Sequence, residues 1–229
     1  MSITKVFQRF EVKFLLDKSQ YNKLIKVLEG HNVNVDQYGK TLIQSIYYDN
    51  DSKLLIRRSA ESPIYKEKFR LRCYWNDEKN KKVFAEIKKK FNGCVYKRRT
   101  TLEFDQYKDL YNNLSNKQID KEIKYLLDFY KDIKPAVLIL YDRISYTDGK
   151  IRITFDENIR FREKNLEFSD DISGIKILDD DKVLMEIKTL DSIPLWLAKA
   201  LSELKIYKTS YSKYKTAFEL MIKKSEETK

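Results

Sequence analysis

Residues 68–73, Lys68-Phe69-Arg70-Leu71-Arg72-Cys73, alternate a cation with an apolar residue, and the reading of this stretch decides the fold. Strand side chains point to opposite faces with period two, so the segment carries one cationic face and one apolar face. The pattern recurs outward in both directions. Arg9, Glu11 and Lys13 alternate with Phe10, Val12 and Phe14, and Glu86 and Lys88 with Ala85 and Ile87. Lys150, Arg152, Thr154 and Asp156 alternate with Ile151, Ile153 and Phe155, and Glu186 and Lys188 with Met185 and Ile187. In residues 94–104, Lys97, Arg99, Thr101 and Glu103 share one side, opposite Tyr96, Leu102 and Phe104. One such strand is an ordinary half-solvated sheet, and Glu186 with Lys188 alone reads equally as a cross-strand ion pair. Matching parity on about six strands predicts a closed sheet with its charges inward, a basic tunnel suited to a polyanion.

Between these strands the chain reads as helices and turns. Asp17 or Ser19 caps a helix running to about Glu29, and Gly30 ends it. Residues 42–48 read as a strand, 53–57 as a short helix or turn, 65–75 as a long strand and Asn76 to Lys82 as a hairpin loop. Strand 83–90 then turns at Phe91-Asn92-Gly93 into strand 94–104. Residues 105–131 are helical in period, and Pro135 marks the return to strand. Segments 136–146 and 150–156 form a hairpin about Thr147-Asp148-Gly149. Arg160 to Glu163 and Lys182 to Thr189 are further strands, and helices follow from Pro194 to about Leu204 and from Tyr211 or Ser212 to about Lys224. The expected fold is therefore α+β: one domain, residues 1–229, built as a mostly antiparallel barrel of about eight strands with helices on its apolar exterior.

Composition narrows the partners. The 229 residues include 46 Lys and Arg against 35 Asp and Glu, a net charge of +11, which favours nucleic acid, anionic lipid, nucleotides or polyphosphate. With 42% hydrophobic residues, including 12 Phe and 16 Tyr, the chain can bury a real core. Cys73 and Cys94 form neither a CxxC pair nor a zinc pattern, so both read as reduced packing residues of an intracellular, cytoplasmic protein. No apolar run reaches the ~20 residues of a membrane-spanning helix, and no signal-peptide core appears. The scattered glycines form neither a Walker A loop nor a dinucleotide fingerprint, so phosphate recognition must come from side chains. His31, the one histidine, reads as a solvated loop residue. Arg57, Arg58, Arg98 and Arg162 read as surface residues, and Tyr207, Tyr211 and Tyr214 as helix packing. No RNP motif, zinc finger or helix-turn-helix points to nucleic acid.

Several ordered motifs resemble the VTC-type polyphosphate polymerase domain of the triphosphate tunnel metalloenzyme (CYTH) superfamily. They are Arg9-x-Glu11-x-Lys13, Tyr47-Tyr48-Asp49, Phe69-Arg70-Leu71-Arg72, Glu86-Ile87-Lys88 and Tyr96-Lys97-Arg98-Arg99. Tyr141-Asp142-Arg143, Arg152-Ile153-Thr154-Phe155-Asp156, Met185-Glu186-Ile187-Lys188 and Ser212-Lys213-Tyr214 continue the series. The resemblance implies an eight-stranded triphosphate tunnel in which cations grip phosphates and carboxylates hold a divalent metal, Mn2+ or Mg2+. Carried over by position, Lys13, Arg70, Arg72, Lys88, Arg143, Arg152 and Lys188 act in catalysis, and Arg9, Lys97, Arg99, Ser212 and Lys213 bind phosphate. Glu186 is the implied main metal ligand, with Glu11, Glu86, Glu103 and Asp156 as further metal ligands or charge-balancing groups.

The chemistry is consistent with these residue types. Arg offers planar donor pairs to phosphate oxygens and Lys a point charge, and phosphoryl transfer depends on positioning and electrostatics more than on covalent chemistry from the protein. The wider superfamily opens on Glu-x-Glu-x-Lys, where this chain has Arg9 in place of the first Glu. Losing that carboxylate disfavours a second metal and an activated water. The resemblance thus implies transfer of the ATP γ-phosphoryl group to a growing polyphosphate, with a separate membrane protein as a conceivable partner for product export. A triphosphatase using the same tunnel and a non-catalytic polyphosphate- or nucleotide-binding module are the alternatives.

Overall fold

The computed structural model describes residues 10–62, 64–75, 81–92 and 94–227. Arg9 and most of the hairpin loop expected at Asn76 to Lys82 lie outside them. In chain order the elements are β1 (Phe10–Asp17), α1 (Lys18–Gly30), β2 (Asn34–Val35), β3 (Thr41–Asp49), α2 (Leu54–Glu61), β4 (Tyr65–Tyr74), β5 (Lys82–Phe91) and β6 (Cys94–Glu103). A 3-10 turn (Tyr107–Asp109) leads to α3 (Leu110–Asn113) and α4 (Gln118–Tyr130), then β7 (Lys134–Thr147), β8 (Ile151–Arg162), β9 (Ile175–Lys176), β10 (Lys182–Thr189), α5 (Leu195–Glu203), β11 (Lys208–Thr209) and α6 (Lys213–Glu227). The class is α+β with a large antiparallel sheet.

The chain divides into two compact units. The first comprises Met1–Thr41, Asp142–Asn158 and Leu178–Tyr211, and the second Leu42–Tyr141, Ile159–Ile177 and Ser212–Lys229. The expectation of a single domain thus meets a chain in which β7 and β8 each contribute residues to both units.

In the first unit, β1 lies between β10 and the short β11, and β10 also pairs with β8. Most of the apolar faces expected from period two are buried, Phe14 and Leu16 of β1, Ile151, Ile153 and Phe155 of β8, and Val183, Met185 and Ile187 of β10, whereas Phe10 at the start of β1 is exposed. Helices α1 and α5 cover them with Leu24, Leu28, Leu197 and Leu201. Each such fully buried side chain contributes about 1.5–3 kcal/mol relative to an exposed one. Asp17 caps α1 as the sequence implies: its carboxylate accepts from Gln20 N at 2.7 Å, and its own N–H donates to Gln20 Oε1 at 3.0 Å, a reciprocal box.

In the second unit the order β3-β4-β5-β6 is antiparallel throughout. Phe69, Leu71 and Cys73, the apolar half of the deciding stretch, are fully buried with Val83, Ala85 and Ile87, and Ile123 and Leu126 of α4 cover them. Asp49, at the end of β3, accepts from Leu55 N (2.8 Å) and Ile56 N (3.0 Å) and so satisfies two otherwise unpaired donors at the start of α2.

Several expectations need correction. Among the described residues the strand path ends at β11 and at β6, so hydrogen bonds do not close an eight-stranded barrel. At two residues β11 is too short to supply a closing ladder. The helical stretch 105–131 breaks into three pieces, and Arg160 to Glu163 is the continuation of β8 rather than a separate strand. Cys94 is exposed at the start of β6, whereas Cys73 is buried; both are free. Arg162 is no surface residue: its side chain is 10% exposed and pairs with Asp171 at 2.5 Å. Tyr207 is 72% exposed rather than packed, whereas His31 is exposed in the turn after α1, as expected, with its ring stacked on Trp196 at 4.1 Å.

Candidate functional site

Register converts the alternating charges into cross-strand rows, because residues directly opposite on antiparallel strands share a face. In the second unit one row runs Tyr47, Arg70, Glu86, Arg99 across β3 to β6. Glu86, 1% exposed, is its hub. Arg70 donates through Nε and Nη2 to Glu86 Oε2, both at 2.7 Å, and through Nη1 to Tyr47 Oη at 2.8 Å. Lys97 Nζ lies 2.7 Å and Arg99 Nη1 3.7 Å from Glu86 Oε1. Burial alone would push the Glu86 carboxyl up, but Arg70, Arg72 and Lys97 outweigh it and hold it well below the usual carboxylate range. Glu86 is thus ion-paired with three cations. Arg72, also buried, donates Nε to Ser45 Oγ at 3.1 Å.

The neighbouring row sets Lys68, Lys88 and Lys97 side by side on β4, β5 and β6. Three like charges directly opposite one another repel, so the row gains from an anion laid across it. Lys68 Nζ donates to Ser212 Oγ at 3.1 Å, which brings the start of α6 to this face, and Lys213 Nζ lies 4.3 Å from the centre of the Tyr141 ring. Burial alone would raise the Tyr47 phenol, but Arg70, Arg72 and Lys68 bring it down to about 7. Tyr47 stacks on Tyr214 (4.6 Å), whose hydroxyl donates to Asp49 Oδ2 at 2.9 Å.

In the first unit the row Lys13, Glu186, Thr154 crosses β1, β10 and β8, beside the row Glu11, Lys188, Arg152. Glu186 Oε1 is 2.5 Å from Lys188 Nζ, and Glu186 Oε2 is 3.8 Å from Lys13 Nζ. Lys13 also donates to the Tyr211 carbonyl at 2.9 Å. Burial would raise Glu186, but Lys188, Lys13 and Arg143 outweigh it and hold its carboxyl well below the usual range. Arg143 grips Asp156 through two nitrogens. Arg152 turns to Asp36 (3.1 Å) and Ser145 Oγ (3.2 Å). Glu11 is exposed, and Glu103, also exposed, belongs to the second unit, where it pairs with Lys82.

A divalent metal fits the first unit in one mode. Among the described residues no three His, Cys, Asp or Glu gather into a metal cage. Next to Glu186, however, Thr154 Oγ1 is buried and has no hydrogen-bond partner among the described residues. One carboxylate and one hydroxyl suit Mg2+ or Mn2+ completed by phosphate oxygens and waters, as phosphate-bound Mg2+ commonly is.

Sequence reasoning placed Lys68 and Thr154 on the charged faces without giving either a site role, and missed Tyr47 and Ser45 as members of these faces. Their parity was readable; the register that sets them opposite Arg70, Arg72, Lys88 and Glu186 was not. Among the described residues no helix is long and apolar enough to cross a membrane.

Residues 8–222 match the family model of the VTC domain. Among solved structures, a Bacillus halodurans protein assigned as an adenylate cyclase aligns with a TM-score of 0.55 at 13% identity, over 88% of this chain and 92% of that one. A Vibrio parahaemolyticus protein with the same assignment aligns with a TM-score of 0.51 at 12% identity, over 92% and 97%. At such identities the likeness is one of fold. No match is found among the curated proteins.

Proposed function

The chain belongs to the VTC domain family, and from that premise we propose that it is a metal-dependent polyphosphate polymerase working in the cytoplasm. The observation that carries the reading is the row Lys68, Lys88, Lys97 beside Arg70, Arg72 and Arg99, an array of side-chain cations spaced along neighbouring strands. Strands lie about 4.8 Å apart, so the array offers successive cations to successive phosphates of a linear chain, with no glycine loop required.

In this reading a terminal oxygen of polyphosphate attacks the γ-phosphorus of ATP. The bond from the γ-phosphorus to the β–γ bridging oxygen breaks, and ADP leaves with that electron pair. The nucleophile is already anionic, so no general base is needed. Arg70, Arg72, Lys88, Lys97 and Arg99 orient phosphates, with Ser212 and Lys213 at the start of α6. Lys13, Lys188, Arg143 and Arg152 stabilise charge in the first unit. Glu186, with Thr154, would hold the Mg2+ or Mn2+, which when bound neutralises phosphoryl oxygens. A role for Arg9 in phosphate binding belongs to this reading as well.

The test is to incubate the protein with ATP and Mn2+, with and without a short polyphosphate primer, and to measure chain length, ADP and free phosphate together. Long chains with ADP are expected. Free phosphate without chains would identify a triphosphatase instead, and tight polyphosphate binding without turnover a binding module. Glu186→Gln is expected to abolish turnover while retaining polyphosphate binding; full activity would remove Glu186 from the metal site.

A further inference from the structure

The outer side of the second unit carries a feature that the proposed reaction does not use. Strand β6 pairs with β5 and ends the strand path, so along ten residues its other edge presents backbone N–H and C=O groups with no strand partner among the described residues. Beside it, on the face opposite Lys88 and Lys97, a cleft of about 460 Å³ opens between β5, β6 and α4. Tyr96, Arg98, Lys89, Lys121, Glu122 and Tyr125 line it.

Two properties mark this cleft. Its aromatic rings are unburied: Tyr96 is 60% exposed and Tyr125 67%, with Phe129, 62% exposed, stacked on Tyr125 and Phe91, 52% exposed, sharing the face of Tyr96. Adjoining exposed aromatics signal a surface that is covered in use, and Tyr, Phe and Arg are the residues enriched at protein interfaces. The edge is also basic. On this face Arg98 meets Glu122 at 3.3 Å and Lys89 meets Glu67 at 3.0 Å, and Lys121 adds a further cation at the rim, while Lys97 and Arg99 on the same strand face the other side.

These properties select the occupant. A second copy of this chain pairing edge to edge would set Lys97-Arg98-Arg99 against itself, an arrangement that charged edges prevent. A phosphate chain would meet the cations but leave Tyr96, Tyr125 and Phe129 wet. We infer that the open edge of β6 and the cleft beside it form a docking site for an extended acidic segment of a partner protein, which adds a strand to β6 and seats an apolar side chain between Tyr96 and Tyr125. Main-chain pairing would supply affinity, and the cleft, reached by alternate residues of the added strand, would supply selectivity.

The test uses the whole chain and a fluorescent peptide of about eight residues, Glu alternating with Thr and Val around a central Phe. Its counterpart with Lys in place of Glu serves as the charge control. The Glu peptide is expected to bind and to slow amide hydrogen exchange in residues 95–99, and the Lys peptide to bind at least about tenfold more weakly. Tyr96→Ala and Tyr125→Ala, both at exposed positions, should each weaken the Glu peptide about tenfold with an unchanged circular dichroism spectrum. Absence of binding, equal binding of the two peptides, or indifference to both substitutions would overturn the inference. So would tripolyphosphate binding that Tyr96→Ala and Tyr125→Ala weaken as much as they weaken the peptide. None of these readouts depends on polymerase activity, so they stand or fall apart from the proposed function.

Discussion

Arg143 meets Asp156 through two nearly equal hydrogen bonds, Nε to Oδ1 at 2.6 Å and Nη2 to Oδ2 at 2.7 Å, so its guanidinium plane is fixed by the protein. The Asp156 side chain is 3% exposed. Removing one partner of a buried ion pair strands the other, at about 3–5 kcal/mol. Asp156→Ala is expected to lose that much in urea unfolding, and the double variant Asp156→Leu, Arg143→Met to recover part of it. A loss below about 1 kcal/mol would show that the pair is solvated.

Glu86 gives the fold an acid limit. Its folded carboxyl lies below its ordinary value of 4.5, so its contribution is complete above about 4.5 and disappears as pH falls through the folded value. Glu86→Gln should lower stability at neutral pH and flatten the decline of stability below pH 4.5. Parallel acid-unfolding curves for the variant and the parent would contradict this.

Tyr47 should report on its cations. With its phenol brought down to about 7, Tyr47 is expected to give the folded protein a tyrosinate transition near neutrality by ultraviolet absorbance, absent in Tyr47→Phe. The folded phenol lies below its unfolded value, so ionisation adds stability as pH rises from 7 towards 10 and the gain is lost as pH falls through 7. Binding of polyphosphate to Arg70 and Arg72 should move the transition upward.

Asp49 joins β3, the first turn of α2 and, through the Tyr214 hydroxyl, α6. Asp49→Ala leaves three N–H groups, those of Asn50, Leu55 and Ile56, and that hydroxyl without their acceptor, for an expected loss of about 3 kcal/mol. Tyr214→Phe removes one bond and should cost about 1 kcal/mol. Thermal unfolding of both variants checks the ratio.

Period-two alternation was enough to place the deciding stretch correctly: Phe69, Leu71 and Cys73 are buried, and Arg70 and Arg72 face the charged side. Asp17 as helix cap was equally legible, because a capping box is local. The pairing of Lys13 with Glu186, 173 residues downstream by their numbers, was not, because register depends on long-range packing that local pattern leaves open. The same reason explains Glu86. Its parity identified it as facing the cations, but only β4 and β6 on either side make it a counter-ion. Closure of the barrel was inferred from parity alone, and parity does not decide which edges meet.

The division into units has a bearing on synthesis. The second unit draws its last helix from beyond Ser212, and the first needs the segment Leu178–Tyr211 to supply β10. A chain emerging from the ribosome N-terminus first therefore completes the first unit only after Tyr211 and the second only after α6. Strands β4 to β6 appear early with cationic faces, and long-range pairing of this kind is slow to form. The alternating lysines and arginines keep those waiting strands apart by repulsion, so the charges read here as a grip on phosphate also guard the nascent chain against aggregation.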